Sequence, residues 1–114
     1  MPDHSLSLPF WEGFTATKLN VQDDVVWITL RRDPAAAMVC GGCGVHCYQV
    51  HDIATRIIRE LPMQGKPVRL RVPLRRLKCS TCGTRVERVA WLDRHARVTR
   101  SLAEFVGLWC EKLP

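Results

Sequence analysis

The sequence contains two matched cysteine motifs, CGGCG at residues 40–44 and CSTCG at residues 79–83, with 35 residues between the two pairs. A Cys-x-x-Cys turn places two thiolates on one side of a tight loop, and two such turns supply the four soft ligands of a closed tetrahedral zinc site. The glycine after each pair allows a positive φ, which lets backbone amides point back at the sulfur atoms. The spacing therefore predicts one structural Zn²⁺, with the ligands Cys40, Cys43, Cys79 and Cys82.

Other uses of these cysteines fit the pattern less well. A thioredoxin-like redox site has a single Cys-x-x-Cys between a strand and a helix, whereas two matched pairs favour a metal. Structural disulfides need an oxidising compartment, and residues 1–10 have neither the basic nor the apolar region of a signal peptide, so we expect the reducing cytoplasm. An iron–sulfur cluster would need a cofactor shell that the sequence does not show.

The remaining cysteines and two histidines lie near these motifs or near the carboxyl end of the chain. Cys47, His46 and His51 are close enough to the first pair to replace a ligand, but four cysteines already fill a structural zinc shell. Cys110 falls on the apolar side of a predicted helix, where a small hydrophobic residue packs well. We interpret Cys47 and Cys110 as non-ligands, and leave open whether Cys47, His46 or His51 can substitute.

The chain length limits how much stability a hydrophobic core can supply. A chain of 114 residues supports one domain and buries about 65% of its unfolded surface. Structural zinc contributes on the order of 10 kcal/mol, as much as the whole net stability of many small domains. The sequence has no run of some 18 apolar residues, so it predicts no transmembrane helix and no membrane partner.

The net charge of +6 is distributed very unevenly along the chain. Residues 54–100 hold thirteen basic and three acidic side chains, a net charge of +10, while residues 1–53 and 101–114 carry −3 and −1. A localised basic segment is typical of proteins that bind a phosphate backbone, whereas a solvated surface usually intersperses both signs. The alternative is a basic face that has no partner.

Alternating apolar residues predict two antiparallel β-hairpins. The first pairs Phe14–Val21 with Asp24–Arg31, and the second pairs about Ile53–Leu61 with Lys66–Leu77 through a turn at residues 62–65. In the second hairpin, apolar residues at positions 68, 70, 72 and 74 alternate with arginines at 69, 71 and 75, and the proline at 73 indicates an edge strand.

The turn of the second hairpin also suggests a register. Pairing Leu61 with Lys66 would place Arg56 directly opposite Arg71. Like charges in opposite positions are destabilising, so we expect such a pair at a solvated edge or where an anion binds. A slip of one residue would remove this pairing.

Residues 99–112 have the features of a helix. Ser101 to Glu104 is a capping-box pattern, and apolar residues recur at 102, 105, 106, 109 and 113. The sequence therefore predicts an α+β fold, a small zinc-ribbon-like domain of two antiparallel β-hairpins with a C-terminal α-helix. We expect a flexible tail at residues 1–9, the zinc-ribbon-like β domain at residues 10–98, and the helix at residues 99–114.

Five motifs in this order carry a family resemblance: CGGC at 40–43, RIIRELP at 56–62, GKPVRL at 65–70, RRLKCSTC at 75–82 and TRSLAE at 99–104. Together they resemble the N-terminal zinc-finger region of ISL-three family insertion-sequence transposases. The resemblance implies a domain that helps to recognise the terminal inverted repeats of a mobile element, followed by a helix-turn-helix and an acidic nuclease domain. The sequence stops where that helix-turn-helix would begin, and its C-terminal helix would lead towards it.

The acidic residues do not suggest catalysis. Glu60, Glu87 and Asp93 are the only carboxylates in the basic half of the chain, and their spacing offers no two-metal cluster for phosphoryl transfer. We therefore expect a binding module without catalytic activity, acting on DNA at transposon ends in the bacterial cytoplasm and associated with the nucleoid. Self-association or contact with other transposase domains is also open.

Two functions of different classes remain. The first is a zinc-stabilised DNA-binding module, in which basic side chains contact phosphates. The second is a regulatory or protein-interaction zinc ribbon that binds an acidic partner or other transposase domains. For the first function the candidate phosphate contacts are Arg56, Arg59, Lys66, Arg69, Arg71, Arg75, Arg76, Lys78 and Arg85.

Overall fold

The computed structural model describes residues 10–93 and 96–104. One mixed sheet, with strand order β1-β2-β4-β3, makes up most of this part, and β5 pairs with the end of β4. Its strands are β1 (Phe14–Gln22), β2 (Val25–Arg32), β3 (Val50–Met63), β4 (Lys66–Cys79) and β5 (Gly83–Val86). Residues 100–104 form a helical turn, α1. The described residues include no helix that is long and apolar enough to cross a membrane.

The first predicted hairpin is confirmed as β1 and β2. The two strands pair antiparallel up to Gln22 and Val25, and the two residues between them both have positive φ, 54° at Asp23 and 61° at Asp24. Short polar side chains tolerate this left-handed conformation, and a two-residue turn of this kind matches the twist of the strands. A bulge at Thr17 interrupts the pairing, after which the alternation of faces continues.

The second hairpin is also confirmed, but its predicted register was wrong. The connecting turn consists of Gln64 and Gly65, both with positive φ, so Met63 lies opposite Lys66. An irregularity between Glu60 and Met63 then shifts the remaining pairs. Arg56 consequently lies opposite Val72 rather than opposite an arginine.

A like-charge pair nevertheless exists at a different position of the same hairpin. Arg59 of β3 lies directly opposite Arg69 of β4. Residues in opposite positions of an antiparallel pair point to the same face, so both guanidinium groups share one side of the sheet.

Parallel pairing between β2 and β4 joins the two hairpins into one sheet. Val26 to Thr29 pair with Val68 to Arg71, so β4 is a central strand and the edge-strand interpretation of Pro73 was wrong. Pro73 is tolerated because the described pairing of β2 ends at Arg71 and that of β5 begins at Arg76. Pro73 thus lies in the stretch of β4 between its pairing with β2 and its pairing with β5, where the N–H that proline lacks is not needed for either ladder.

One face of the sheet carries the hydrophobic core. Alternate residues of β2 and β4 point to this face, and Ile58 of β3 packs with them; all are almost fully buried. Trp11, before β1, and residues after β5 cover the core. The rings of Trp91 and of Phe14, the first residue of β1, are in edge-to-face contact at 5.4 Å between centroids. The cluster comprises Trp11, Phe14, Val26, Ile28, Leu30, Ile58, Val68, Leu70, Val72, Leu74, Val89, Trp91 and Leu92.

The opposite side of the sheet, which we name the open face, lacks such a cover in the part of the chain that is described. It consists of the strand residues that alternate with the core residues, and by register these lie on the same side of the sheet as Trp27 and Arg71. Ile57 on this face is 53% exposed. The members of the open face, which extends to Arg31 of β2 and Pro73 of β4, are Thr15, Lys18, Asn20, Gln22, Val25, Trp27, Thr29, Arg31, Thr55, Ile57, Arg59, Arg69, Arg71 and Pro73.

The predicted α+β class was wrong, because the described residues are predominantly β-structure and helical geometry is limited to residues 100–104. The helix cap also differs from the predicted box at Ser101 and Glu104. Thr99 accepts hydrogen bonds from the backbone amides of Leu102 at Oγ1 (3.1 Å) and Ala103 at its carbonyl (3.0 Å), so Thr99 is the N-cap. The rest of the predicted helix, residues 105–112, and the predicted tail, residues 1–9, lie outside the described residues.

Candidate zinc centre and basic surfaces

The two cysteine loops meet at the end of the sheet opposite the β3–β4 turn. Cys79 is the last residue of β4, and the loop that contains Cys82 turns the chain back into β5. Cys40 forms an isolated bridge with Glu87, directly after β5, and the Gly41 amide donates to the Val86 carbonyl at 3.0 Å. Backbone pairing therefore brings the first loop onto β5, although 35 residues separate the motifs.

The four cysteine sulfur atoms have the arrangement that a single zinc ion requires. The Sγ atoms of Cys40, Cys43, Cys79 and Cys82 all lie within 4.8 Å of one another, and those of Cys43 and Cys79 are 3.5 Å apart. A tetrahedral zinc thiolate site has sulfur–sulfur separations of about 3.8 Å, given zinc–sulfur bonds of about 2.3 Å. The cluster thus fits one structural Zn²⁺. We name residues 38–47 and 79–87 the zinc knuckle.

Backbone amides stabilise negative charge on the first cysteine of each pair. Gly42 donates its amide to Cys40 Sγ at 3.3 Å, and Cys82 donates its amide to Cys79 Sγ at 3.5 Å. The glycines that follow the pairs, Gly44 and Gly83, both have a φ of 78°, as the sequence predicted.

The pKa values of the four thiols differ as a result of their contacts. Backbone hydrogen bonds lower the pKa of Cys40 and lower the pKa of Cys79 to about 6. The pKa of Cys82 is raised to about 12, first because its thiol hydrogen-bonds to Cys43 and then because burial disfavours the thiolate. Four thiolates therefore share this space only when a cation neutralises them, which is what a zinc ion supplies.

The candidates for ligand substitution remain outside the four-sulfur cluster. Cys47 is buried beside it, where burial raises the pKa of its thiol, and its Sγ donates to the Val45 carbonyl at 3.7 Å. His46 and His51 are exposed. Among the described residues, the four paired cysteines are the one group of three or more metal-ligating side chains that converge. Cys110 lies outside the described residues.

A buried carboxylate joins the zinc knuckle to the sheet, and sequence reasoning missed it. Glu87 Oε1 accepts hydrogen bonds from Arg32 Nη2 at 2.7 Å and from Arg75 Nη2 at 2.9 Å, and Oε2 accepts from the Arg75 amide. Arg75 also donates to the carbonyls of Ala36 and Ala37. Only 7% of the Arg75 side chain is exposed, so this residue is not accessible to a phosphate.

Three of the predicted phosphate contacts line a cleft of about 630 Å³ beside the zinc knuckle: Arg56, Arg76 and Arg85. The cleft lies on the core side of the sheet, since Arg56 pairs with Val72. Two arginines that the prediction did not include, Arg88 and Arg100, line it as well. We name this site the arginine cleft. The basic composition of residues 54–100 was the only sequence signal for these two residues.

The other predicted contacts are dispersed. Arg59, Arg69 and Arg71 belong to the open face, on the opposite side of the sheet from the arginine cleft. Lys66 lies at the tip of the β3–β4 hairpin and forms an exposed ion pair with Asp24 at 3.0 Å. Lys78 is exposed next to the zinc ligand Cys79. The structure thus divides one basic segment of sequence into two separate surfaces.

The geometry defines the class of protein, a zinc ribbon with two Cys-x-x-Cys loops. The second loop connects β4 to β5, and the first loop is bound to β5 by a backbone hydrogen bond. Comparisons with known proteins agree: residues 36–82 match the family model described as the zinc-finger of transposases IS204, IS1001, IS1096 and IS1165. The chain is 41% identical over 102 residues to the transposase for insertion sequence element IS1001 of Bordetella parapertussis, an alignment that covers 86% of the chain. No solved structure matches.

These matches confirm the resemblance stated from the sequence. The chain carries a zinc-finger domain of the ISL-three transposase type. It spans about a quarter of the length of the relative from Bordetella parapertussis, since the alignment covers 25% of that transposase.

Proposed function

We propose that this chain is a DNA-binding module that contributes to recognition of the terminal inverted repeats of an insertion sequence, with the arginine cleft as its contact for duplex phosphates. The observation that carries the proposal is the convergence of five arginines in one concave site next to the zinc knuckle. Guanidinium groups bind phosphate oxygens in a bidentate manner, and phosphate contacts supply most of the affinity for duplex DNA.

The charge state of the cleft supports this role. Arg56, Arg85 and Arg88 form no ion pair with any described residue, whereas Arg76 pairs with Asp52 and Arg100 pairs with Asp93. These two pairs are exposed, so a phosphate can compete for the guanidinium at little cost. The proposed contact set is therefore Arg56, Arg76, Arg85, Arg88 and Arg100, and it omits the buried Arg75.

The zinc ion has a structural role in this proposal. Gly41 and Gly42, in the loop that begins at Cys40, line the cleft, and so does Thr84 of β5, which follows the loop that contains Cys82. Binding of zinc fixes the position of both loops and hence the position of Arg85 beside them. A metal-free chain would lose the shape of the cleft along with the metal.

We also propose that the chain contributes binding and no catalysis. The candidate carboxylates support this, because each is already engaged. Glu60 accepts from Trp11 Nε1 at 2.9 Å and from Thr99 Oγ1 at 2.7 Å, while Glu87 pairs with Arg75 and Asp93 pairs with Arg100. Magnesium-dependent nicking of inverted-repeat DNA by the nuclease-free protein would overturn this part. Association with the nucleoid would follow from DNA binding.

The test is a fluorescence anisotropy titration of the zinc-loaded protein with a duplex of the encoding element's inverted repeat and with a scrambled duplex. We expect the logarithm of the affinity to fall with the logarithm of salt concentration, by about 0.9 per neutralised phosphate. Arg85→Gln and Arg88→Gln should each weaken binding to both duplexes and make the slope shallower by about one unit per lost contact. A base-reading arginine would instead reduce binding to the inverted repeat alone.

Lys66→Gln is the matched control, since it removes one positive charge at the hairpin tip, away from the cleft. It should change the salt slope less than either cleft variant. Equal binding by wild type, Arg85→Gln and Arg88→Gln on both duplexes would rule out the cleft as the interface. It would also favour the second candidate function, a ribbon that binds an acidic protein partner through the same arginines.

A further inference from the structure

We propose that the open face is a second nucleic-acid site, which binds single-stranded nucleic acid by stacking a base on the Trp27–Arg71 pair. The Arg71 guanidinium lies over the indole ring of Trp27, 4.3 Å from the ring centroid. Aromatic rings and guanidinium planes are the surfaces on which unpaired bases stack, and stacking is tolerant of sequence. This proposal goes beyond the duplex contact assigned to the arginine cleft and does not depend on it.

The charges around the Trp27–Arg71 pair favour an anionic ligand. The open face, as defined by strand register over the described residues, includes five basic side chains, Lys18, Arg31, Arg59, Arg69 and Arg71, and no carboxylate. None of these five forms an ion pair with a described residue. A surface that is merely solvated would carry both signs.

The opposed arginines are the clearest indication that an anion binds here. Arg59 and Arg69 occupy directly opposite positions of β3 and β4, an arrangement that is destabilising in the free protein. A phosphate between the two guanidinium groups would turn this repulsion into two charge-assisted hydrogen bonds. Trp27 pairs with Arg69 across the parallel β2–β4 ladder, so the phosphate site and the stacking site are neighbours.

The width of the open face favours single-stranded nucleic acid over a duplex as the ligand. Neighbouring strands are about 4.8 Å apart, so β2, β4 and β3 form a platform about 10 Å wide. A platform of this size accommodates two or three unstacked bases, as aromatic residues on other β-sheets do. A duplex keeps its bases stacked inside the helix and offers only phosphates to such a platform.

The experiment measures binding of the zinc-loaded chain to oligothymidylate and oligouridylate of about 12 nucleotides and to a duplex. Trp27→Ala should weaken binding to the single strands about tenfold, while Trp27→Phe, which keeps a stacking ring, should retain most of it. Neither variant should change duplex affinity more than twofold. Oligothymidylate and oligouridylate together show whether the strand is DNA, RNA or either.

The cleft variant Arg85→Gln is the matched control, because it should weaken duplex binding and leave single-strand binding within twofold. If Trp27→Ala fails to fold, as judged by zinc content and thermal unfolding, Arg59→Gln replaces it, since Arg59 is exposed on β3. That variant should weaken single-strand binding and make its salt dependence shallower. Unchanged affinity for the single strands in folded Trp27→Ala or Arg59→Gln would overturn the proposal, and so would an equal loss of affinity for single strand and duplex. Either result leaves the duplex site to be judged by Arg85→Gln alone.

Discussion

Among the described residues, the sheet packs thirteen buried residues into one core, whereas the buried cluster at the zinc knuckle consists of three cysteines and Leu77 of β4. Burial of apolar surface contributes about 25 cal/mol per Å², so the sheet core can stabilise itself and the knuckle cannot. The knuckle must obtain its stability from metal–sulfur bonds. Within one small chain, two neighbouring regions thus depend on different interactions and should respond to different perturbations.

The two regions are joined by the pairing of β5 with β4 and by one buried carboxylate. β4 runs through both, and Glu87 connects them, because its carboxylate binds Arg32 of β2 and Arg75 of β4 at once. Arg75 in turn holds the loop that precedes the first cysteine through two carbonyls. Removal of one part should therefore reveal how far the other part folds independently.

The largest effect is expected when a zinc ligand is removed. Cys79→Ser should lower the zinc content from one ion per chain towards zero and remove most of a contribution on the order of 10 kcal/mol. Metal analysis and amide hydrogen exchange would measure this. We expect loss of protection in the zinc knuckle first. Equal loss of protection in the sheet core would show that the two regions form one cooperative unit.

The control for this prediction is Cys47→Ala. Cys47 is buried next to the cluster, yet it is not among the four converging sulfur atoms. The variant should bind one zinc ion and melt within a few degrees of wild type. Loss of zinc from Cys47→Ala would contradict the assignment of the four ligands.

The next effect in size concerns the connection between the regions. Glu87→Gln leaves Arg32 and Arg75 without their counter-charge in a buried setting, so it should destabilise the protein by about 3–5 kcal/mol. Asp93→Asn, which removes an exposed pair with Arg100, should cost about 0–1 kcal/mol. Urea unfolding would measure both. Similar midpoints for the two variants would refute a special role for Glu87.

A cavity in the sheet core should destabilise the protein about as much as Glu87→Gln does, but it should leave the zinc knuckle intact. Leu70 is fully buried at the centre of β4, so Leu70→Ala should destabilise the sheet by about 2–5 kcal/mol through the cavity that it leaves. Ile57→Ala removes an exposed side chain on the open face and should change stability by about 0.5 kcal/mol or less. Zinc titration of Leu70→Ala sharpens the comparison, since an intact knuckle should still bind one ion.

The smallest effect is an acid-dependent one at an exposed pair. The Arg76 guanidinium lowers the pKa of Asp52 below its ordinary value of 3.8 in the folded chain. The stabilisation is therefore present above pH 3.8 and is lost as the pH falls through the lower folded pKa. The difference in urea midpoint between wild type and Asp52→Asn should be constant above pH 5 and should narrow below pH 4. A difference that grows on acidification would contradict this assignment.

Comparison of predicted and observed elements shows which sequence signals were sufficient. Both hairpins and the convergence of four cysteines followed from local patterns, since alternation with period two and the Cys-x-x-Cys spacing act within a few residues. The register of β3 and β4 was wrong because the turn is built from two residues rather than four and an irregularity between Glu60 and Met63 shifts the remaining pairs. The α+β class was wrong because a capping pattern and apolar spacing over residues 99–112 were given the weight of a whole element, whereas the sheet dominates the described residues.

The composition of the basic segment did not predict which of its arginines share a surface. Sequence reasoning treated the arginines from 56 to 85 as one binding surface. Strand alternation places Arg56 and Arg71 on opposite faces, and the Glu87 carboxylate buries Arg75. No local pattern identifies the partner of Arg75, because Glu87 lies in a different segment that only the fold brings near.

By itself the sequence determined the metal and the strands, because ligand type, ligand spacing and side-chain alternation are properties of short stretches of chain. The tertiary structure alone decided the parallel pairing of β2 with β4, which places Trp27 beside Arg69 and makes one sheet of two hairpins. It also decided which arginines reach solvent together. These features depend on contacts between residues distant in sequence, and such contacts are selected by the free energy of the whole packed chain.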